Sequence, residues 1–380
     1  MEFDFTWLLL GLPVAFALGW LASRLDLRQL RIENRQAPKA YFRGLNFLLN
    51  EQQDQAIDAF IEAVQNDPDT SELHFALGNL FRRRGEYDRA VRVHEHLMAR
   101  GDLTQPERDR AQHALALDFL KAGLLDRAEA ALHKLEGTAY EQEARLALLA
   151  IYERSRDWPQ ASDVARRLGS SSHGSFEPRQ AHYLCEQAQA SIAAGEIEPA
   201  LSLLAQARQI APQAARPLIE QAKLLQQQGR ADQALQTLLQ LQQIAPQALP
   251  LAAALLARLA LQTGRQEEVG QCLMQAQEAQ PSIDLVQAIA ELEPEQARQW
   301  YERHLQREPS LIAASKWLAT DPQFTGQAQH QVVQRAIDRA SGPLMRYRCA
   351  ACGFEAKQHF WHCPGCQAWD SYPARRIEEL

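Results

Sequence analysis

The chain has 380 residues, 46% hydrophobic and 23% charged, with 40 Lys and Arg against 47 Asp and Glu for a formal net charge of −7. That apolar fraction excludes a disordered chain, and the length points to roughly two or three domains or to one elongated repeat array. The acidic balance argues against a general nucleic-acid binder, because neutralising phosphates needs a basic surface.

Residues 5–23 (FTWLLLGLPVAFALGWLAS) carry no charge and are bounded by Asp4 and Arg24. At about 1.5 Å per residue this run spans about 28 Å, close to a hydrocarbon core of about 30 Å, so residues 1–23 are expected to form a single transmembrane anchor. Trp7 and Trp20 near its ends suit the interfaces. A cleaved signal peptide would need a positive start, whereas Glu2 and Asp4 stand there. Arg24, Arg28, Arg31, Arg35, Lys39 and Arg43 follow the run, against Asp26 and Glu33. Cations gather on the cytoplasmic side, which puts the amino terminus in the periplasm, residues 24–36 as a basic juxtamembrane segment and the bulk of the chain in the cytoplasm. Gly11 and Gly19 would let the helix pair with a second copy, giving a homodimer.

From residue 37 to 309 the pattern is helical and periodic. Gly195, Ala200, Leu204, Ala207 and Pro212 recur 34 residues later as Gly229, Ala234, Leu238, Leu241 and Pro246, and again one residue late as Gly264, Val269, Leu273, Ala276 and Pro281. Upstream copies run through Gly44, Phe47, Ala56, Phe60, Ala63 and Pro68, then Leu77, Gly78, Phe81, Gly85 and Ala90, then Phe119, Gly123, Ala128 and Leu132. Weaker ones centre on Tyr152 with Ala161 and on Ala297, Tyr301 and Pro309. These residues match the tetratricopeptide repeat, in which each unit is a helix pair closed by small residues at the contact. The expected fold is all-α: a tetratricopeptide superhelix whose first helices line a concave groove for a peptide or protein. In this register Phe75, Asn79 and Arg82 of one repeat, and His113, Leu117 and Leu120 of the next, are the groove candidates. Repeats that grip a terminal carboxylate carry Lys where this chain has Tyr41 and Phe75, so that form of clamp is not expected. Residues 170–178 (SSSHGSFEP) break the period and read as a hinge within the array, and 310–345 as a helical connector.

Six cysteines are present. Cys185 and Cys272 lie alone in helical patterns and read as buried, inert thiols. The other four form Cys349-Ala-Ala-Cys352 and, after ten residues, Cys363-Pro-Gly-Cys366 within a small domain at 346–373. Two C-x-x-C turns at this distance bring four thiolates around one ion with no open position, which is a structural site shut off from solvent chemistry. Zinc is the expected metal, with iron for electron transfer and a dithiol redox pair as alternatives. His359 and His362 are expected to pack or face water rather than ligate. Phe354, Phe360, Trp361, Trp369 and Tyr372 are more aromatics than about 26 residues can hide, so some should dock on the repeats or on a partner. No phosphate-binding loop, H-E-x-x-H or nucleophile elbow occurs, so no catalytic residue is assigned and the chain is not expected to be an enzyme.

In order, the anchor, the AYFRGLNFLLNEQQDQAIDAFIEAV and LHFALGNLFRRRGEYDRAVRVHEHL blocks, and YRCAACGF with WHCPGCQAWDSYP resemble the lipopolysaccharide assembly protein B family of Gram-negative bacteria over essentially the whole chain. The resemblance implies a rubredoxin-like metal-binding end with Cys349, Cys352, Cys363 and Cys366 as ligands. It implies an inner-membrane regulator that helps the AAA+ protease FtsH degrade the deacetylase committing precursor to lipid A, under restraint by a membrane-embedded signalling protein. Two other readings stand beside it: a general scaffold for lipopolysaccharide assembly or export proteins, and an iron-based electron carrier.

Overall fold

A computed structural model describes residues 15–20, 39–66, 70–171, 174–320 and 328–380. Among the described residues no helix is long and apolar enough to cross a membrane. The anchor expected at 1–23 lies outside the described residues except for 15–20, which are helical, and the basic segment 24–36 lies wholly outside them.

The helices follow in pairs: α1 (residues 39–49) and α2 (Gln53–Asn66), α3 (Ser71–Arg84) and α4 (Tyr87–Ala99), α5 (Gln105–Ala122) and α6 (Leu125–His133), α7 (Glu141–Ser155) and α8 (Trp158–Leu168). Beyond a two-residue hairpin of β1 (Ser170–Ser171) and β2 (Gly174–Ser175) come α9 (Glu177–Ala193) and α10 (Ile197–Ile210), then α11 (Ala215–Gln227) and α12 (Ala231–Leu239), the latter continued by the short α13 (Leu241–Ile244). Then follow α14 (Leu249–Thr263) and α15 (Gln266–Ala279), α16 (Ile283–Leu292) and α17 (Ala297–Arg307), α18 (Leu311–Ala319) and α19 (Ala328–Ser341). The chain divides into two compact units between Arg154 and Ser155, upstream of the break read at 170–178.

The repeat residues explain the pairing. Ala56, Ala63, Ala90, Ala128, Ala161, Ala200 and Ala234 are all buried, so paired helices touch through methyl groups, and Phe60, Leu132, Leu204, Leu238 and Leu273 fill the space around them. Each such large side chain contributes about 1.5–3 kcal/mol by leaving water. Helices stop where the punctuation stands. Gly85 takes a left-handed φ of 84° after α3, its amide donating to Arg82 O and the next amide, of Glu86, donating to Phe81 O; a side chain at that φ would be strained.

In the amino-terminal unit one close approach decides a residue. A Cβ on Gly78 would lie 2.5 Å from His94 Nε2, so α3 and α4 meet over bare backbone. His94 Nδ1 is 2.5 Å from Asp118 Oδ2 on α5, and the other oxygen of Asp118 accepts from Arg82 Nη1 at 2.8 Å. Arg82 donates as well to Ala114 O and to Asn79 Oδ1. A fully buried carboxylate is tolerable only with such partners, and here they tie three helices together.

Candidate metal centre

The carboxy-terminal lobe is built from two similar turns. Strands β3 (Tyr347–Arg348) and β4 (Glu355–Ala356) pair antiparallel, with Tyr347 opposite Ala356, and the Cys349 turn closes between them. Cys349 N donates to Phe354 O and Gly353 N to Cys349 O, both at 2.9 Å, with Gly353 at φ 78°. The second turn repeats this: Cys363 N donates to Ala368 O and Gln367 N to Cys363 O, both at 2.9 Å, with Gln367 at φ 60°. Each turn thus curls its amides onto its sulfurs. Ala351 and Cys352 donate to Cys349, Gly365 and Cys366 to Cys363, Phe354 to Cys352 and Ala368 to Cys366.

All four sulfurs lie within 4.8 Å of one another. Cys349 Sγ is 3.8 Å from Cys366 Sγ, and Cys352 Sγ is 3.7 Å from Cys363 Sγ. Four sulfurs at about 2.3 Å from a central ion would stand about 3.8 Å apart in a tetrahedron, so this donor set fits one ion with no vacant corner. Burial opposes ionisation of Cys349, yet the Ser371 hydroxyl at 3.3 Å and the turn amides outweigh it and bring its pKa down to about 6. At Cys352 the Phe354 amide favours the thiolate, but desolvation and the three neighbouring sulfurs prevail and push it up to about 12. Four such thiols ionise together only around a cation. Cys349 and Cys363 are buried, whereas Cys352 and Cys366 stand exposed. His359 Nε2 donates to Tyr372 O at 3.0 Å and His362 stacks on Trp369 at 4.2 Å, so both rings pack beside the cluster.

The lobe is fastened to the repeats of its own unit. Trp369 sits between His362 and His182 of α9, 4.9 Å from the latter, with its edge to Tyr183 and Trp158. His182 Nδ1 accepts from Arg216 at 3.4 Å, which leaves the Nε2 proton for Asp370 Oδ2 at 2.8 Å. Arg216, nearly fully buried on α11, is neutralised by Glu186 and Glu220, at 2.7 and 2.5 Å. Beyond the lobe, Arg376 grips both oxygens of Asp284 at 2.8 Å and lies over the Tyr347 ring. Glu378 accepts from the Ser310 hydroxyl and from the first amides of α18, Leu311 N and Ile312 N, while Glu379 accepts from Ile283 N, the first amide of α16. Sequence reasoning singled out none of His182, Asp284, Asp370, Arg376, Glu378 or Glu379.

The rubredoxin metal binding domain family matches residues 347–372, and the tetratricopeptide repeat family matches residues 191–259. Lipopolysaccharide assembly protein B of Escherichia coli (strain K12) is 33% identical over 98% of this chain and 99% of its own length. The chain belongs to the lipopolysaccharide assembly protein B family. The protein of that name from Haemophilus influenzae (strain ATCC 51907 / DSM 11121 / KW20 / Rd) is 27% identical over 96% of each chain. Among solved structures, a tetratricopeptide repeat protein from Parabacteroides merdae overlays 68% of this chain and 98% of its own, at a TM-score of 0.34 and 13% identity.

In this member of the lipopolysaccharide assembly protein B family, Asn79, Arg82, His113, Leu117 and Leu120 are each partly exposed. Phe75 is not: at 1% exposure its ring is packed among Leu97, Leu103 and Ala111, with the Arg110 guanidinium 4.1 Å over it. An aromatic at that register fills the space between neighbouring helix pairs, so Phe75 is core and leaves the groove candidates. Arg82 is held inward by Asp118, and His113 stacks on Tyr140 at 4.7 Å with burial holding its pKa below the usual range. Cys185 and Cys272 are buried, and burial raises both thiols, Cys272 to about 11 and Cys185 further, which keeps them protonated and unreactive.

Proposed function

We propose that the chain is a non-catalytic adaptor at the inner membrane which adjusts lipopolysaccharide synthesis by bringing the deacetylase of the lipid A pathway to the protease FtsH. The observation that carries this reading is the match of essentially the whole chain, at 33% identity over 98% of its residues, to a lipopolysaccharide assembly protein. Helix pairs that expose polar faces along their length supply a binding surface. The uncharged run 5–23 serves as the anchor, with the chain beyond it cytoplasmic. Confinement at the bilayer turns the meeting of two membrane-associated partners into a local event at raised effective concentration.

In the same reading Cys349, Cys352, Cys363 and Cys366 hold one structural zinc, whose chemistry when bound is to fix the lobe against the repeats. The alternative of iron and electron transfer is separated by metal analysis of protein from its native host: colourless protein with one zinc supports the structural role, and a reversible iron–thiolate chromophore overturns it. The adaptor reading is tested by deleting residues 1–23. The truncated chain should remain folded and no longer lower the level of the deacetylase in cells; unchanged regulation would defeat the anchored adaptor.

A further inference from the structure

A cleft of about 620 Å³ separates the metal lobe from the repeats in the carboxy-terminal unit. Its roof is Trp361, Tyr372 and Pro373, and its floor is the turns that open α11 and α14. Those turns present Gln213 after Pro212 and Gln247 after Pro246, one 34-residue repeat period apart, and the next turn presents Gln280 beside Pro281. All three amides are exposed, and between them the walls are alanine and Leu251.

The charges of the cleft are unequally occupied. Asp370 is paired with His182, and Arg216 with Glu186 and Glu220. Glu177 stands exposed in the first turn of α9, at the opposite end from Arg375 in order along the repeats. Arg375 donates to Glu379 O at 3.4 Å and, with the Gln280 amide turned to satisfy both groups, to Gln280 Oε1 at 2.9 Å; Glu308, Glu378 and Glu379 lie on its far side, and among the described residues it forms no ion pair. A guanidinium at the rim of a largely apolar cleft, without an ion-paired carboxylate, is a fork for one.

We propose that this cleft binds an extended peptide segment of a partner protein that carries an apolar side chain and a carboxylate. The glutamine amides, spaced by the repeat, pair with the peptide main chain without regard to its sequence. The apolar side chain enters against Trp361 and Leu251, and Arg375 takes the carboxylate. Because the roof belongs to the metal lobe, the cleft exists only while the lobe is docked. This assignment rests on the adaptor reading and names the chemistry of what the adaptor holds.

The test uses the full chain in detergent and fluorescence anisotropy of two labelled hexapeptides. Both contain Leu and Phe; one carries two Asp and the other two Lys at the same places. The acidic peptide should bind at least about tenfold more tightly. Arg375→Gln should remove that preference and Arg375→Lys largely keep it, while Gln213→Ala with Gln247→Ala should weaken both peptides by a similar factor. Equal affinity for the two peptides, no binding at millimolar concentration, or an undiminished preference in Arg375→Gln would overturn the proposal. So would displacement of the acidic peptide by decanoate, which would assign the cleft to an aliphatic acid. Absent peptide binding alongside loss of regulation on deleting residues 1–23 would remove the cleft and leave the adaptor.

Discussion

His304 shows how a single buried residue sets a pH dependence. It is 2% exposed on α17; its Nδ1 accepts from Gln277 Nε2 at 3.1 Å, so Nε2 keeps the proton, and that buried N–H has no partner among the described residues. Burial holds its pKa below the ordinary value, with Glu308 pulling upward and Arg307 adding to the depression. In the unfolded chain the same imidazole titrates near 6.5. Between the folded and the unfolded pKa the unfolded chain binds more protons, so acidification favours unfolding. The stability present above about pH 6.5 is therefore lost as pH falls through the folded value. Urea unfolding at pH 7.5 and 5.5 should show a lower midpoint at the acid pH. His304→Asn should flatten that difference, and an unaltered slope in the variant would show that other groups carry it. His113 and His359, also depressed by burial, add to the slope in the same direction.

At the level of elements, the tail residues act as helix caps supplied from far along the chain. Glu378 reaches back to Ser310, Leu311 and Ile312, so the positive end of α18 meets a carboxylate that does not belong to it. Glu378→Ala should cost about 1 kcal/mol, the usual worth of a cap, and should speed hydrogen exchange at the amides of Leu311 and Ile312. Glu378→Gln should cost less, since the hydrogen bonds survive and only the charge is lost. Unchanged exchange in Glu378→Ala would mean that water replaces the cap. These caps also mark where sequence reading ends. Gly85, Ala90, Gly123, Ala128, Gly229 and Ala234 announce the helix pairs because their chemistry is local: a left-handed turn or a contact with the next helix. The four-cysteine spacing is local too. A pairing of Glu378 with a helix start 68 residues away leaves no periodic mark, and neither does His182 opposite Asp370, 188 residues apart. The period puts Phe75 on the groove because it locates a residue along a helix but does not decide between the faces flanking its contact stripe. The ring's size and the Leu97, Leu103 and Ala111 lining decide it.

Across the carboxy-terminal unit, lobe, cleft and tail form one chain of dependence. A lobe of about 26 residues has too little apolar surface to fold unaided, so its order derives from the ion its sulfurs hold. The order of the lobe fixes Trp369 between His182 and His362, and the tail that follows it places Arg376 on Asp284 and Glu379 on Ile283 N. Removing the ion should therefore loosen helices nearly 200 residues upstream of the tail, beginning with α9, rather than the lobe alone. Chelation of the full chain should lower the melting temperature of the carboxy-terminal unit by on the order of 5–10 °C and shift tryptophan emission to the red as Trp361 and Trp369 meet water. The amino-terminal unit, ending at Arg154 with its own core around Phe60, Phe81 and the buried Asp118 network, should melt where it did before. Cys363→Ser should reproduce the change without chelator, because it removes one of the two buried sulfurs. Equal shifts in both units would indicate a general effect of the chelator. Loss of the lobe with α9 through α18 keeping their protection would show that the repeats stand without their clasp.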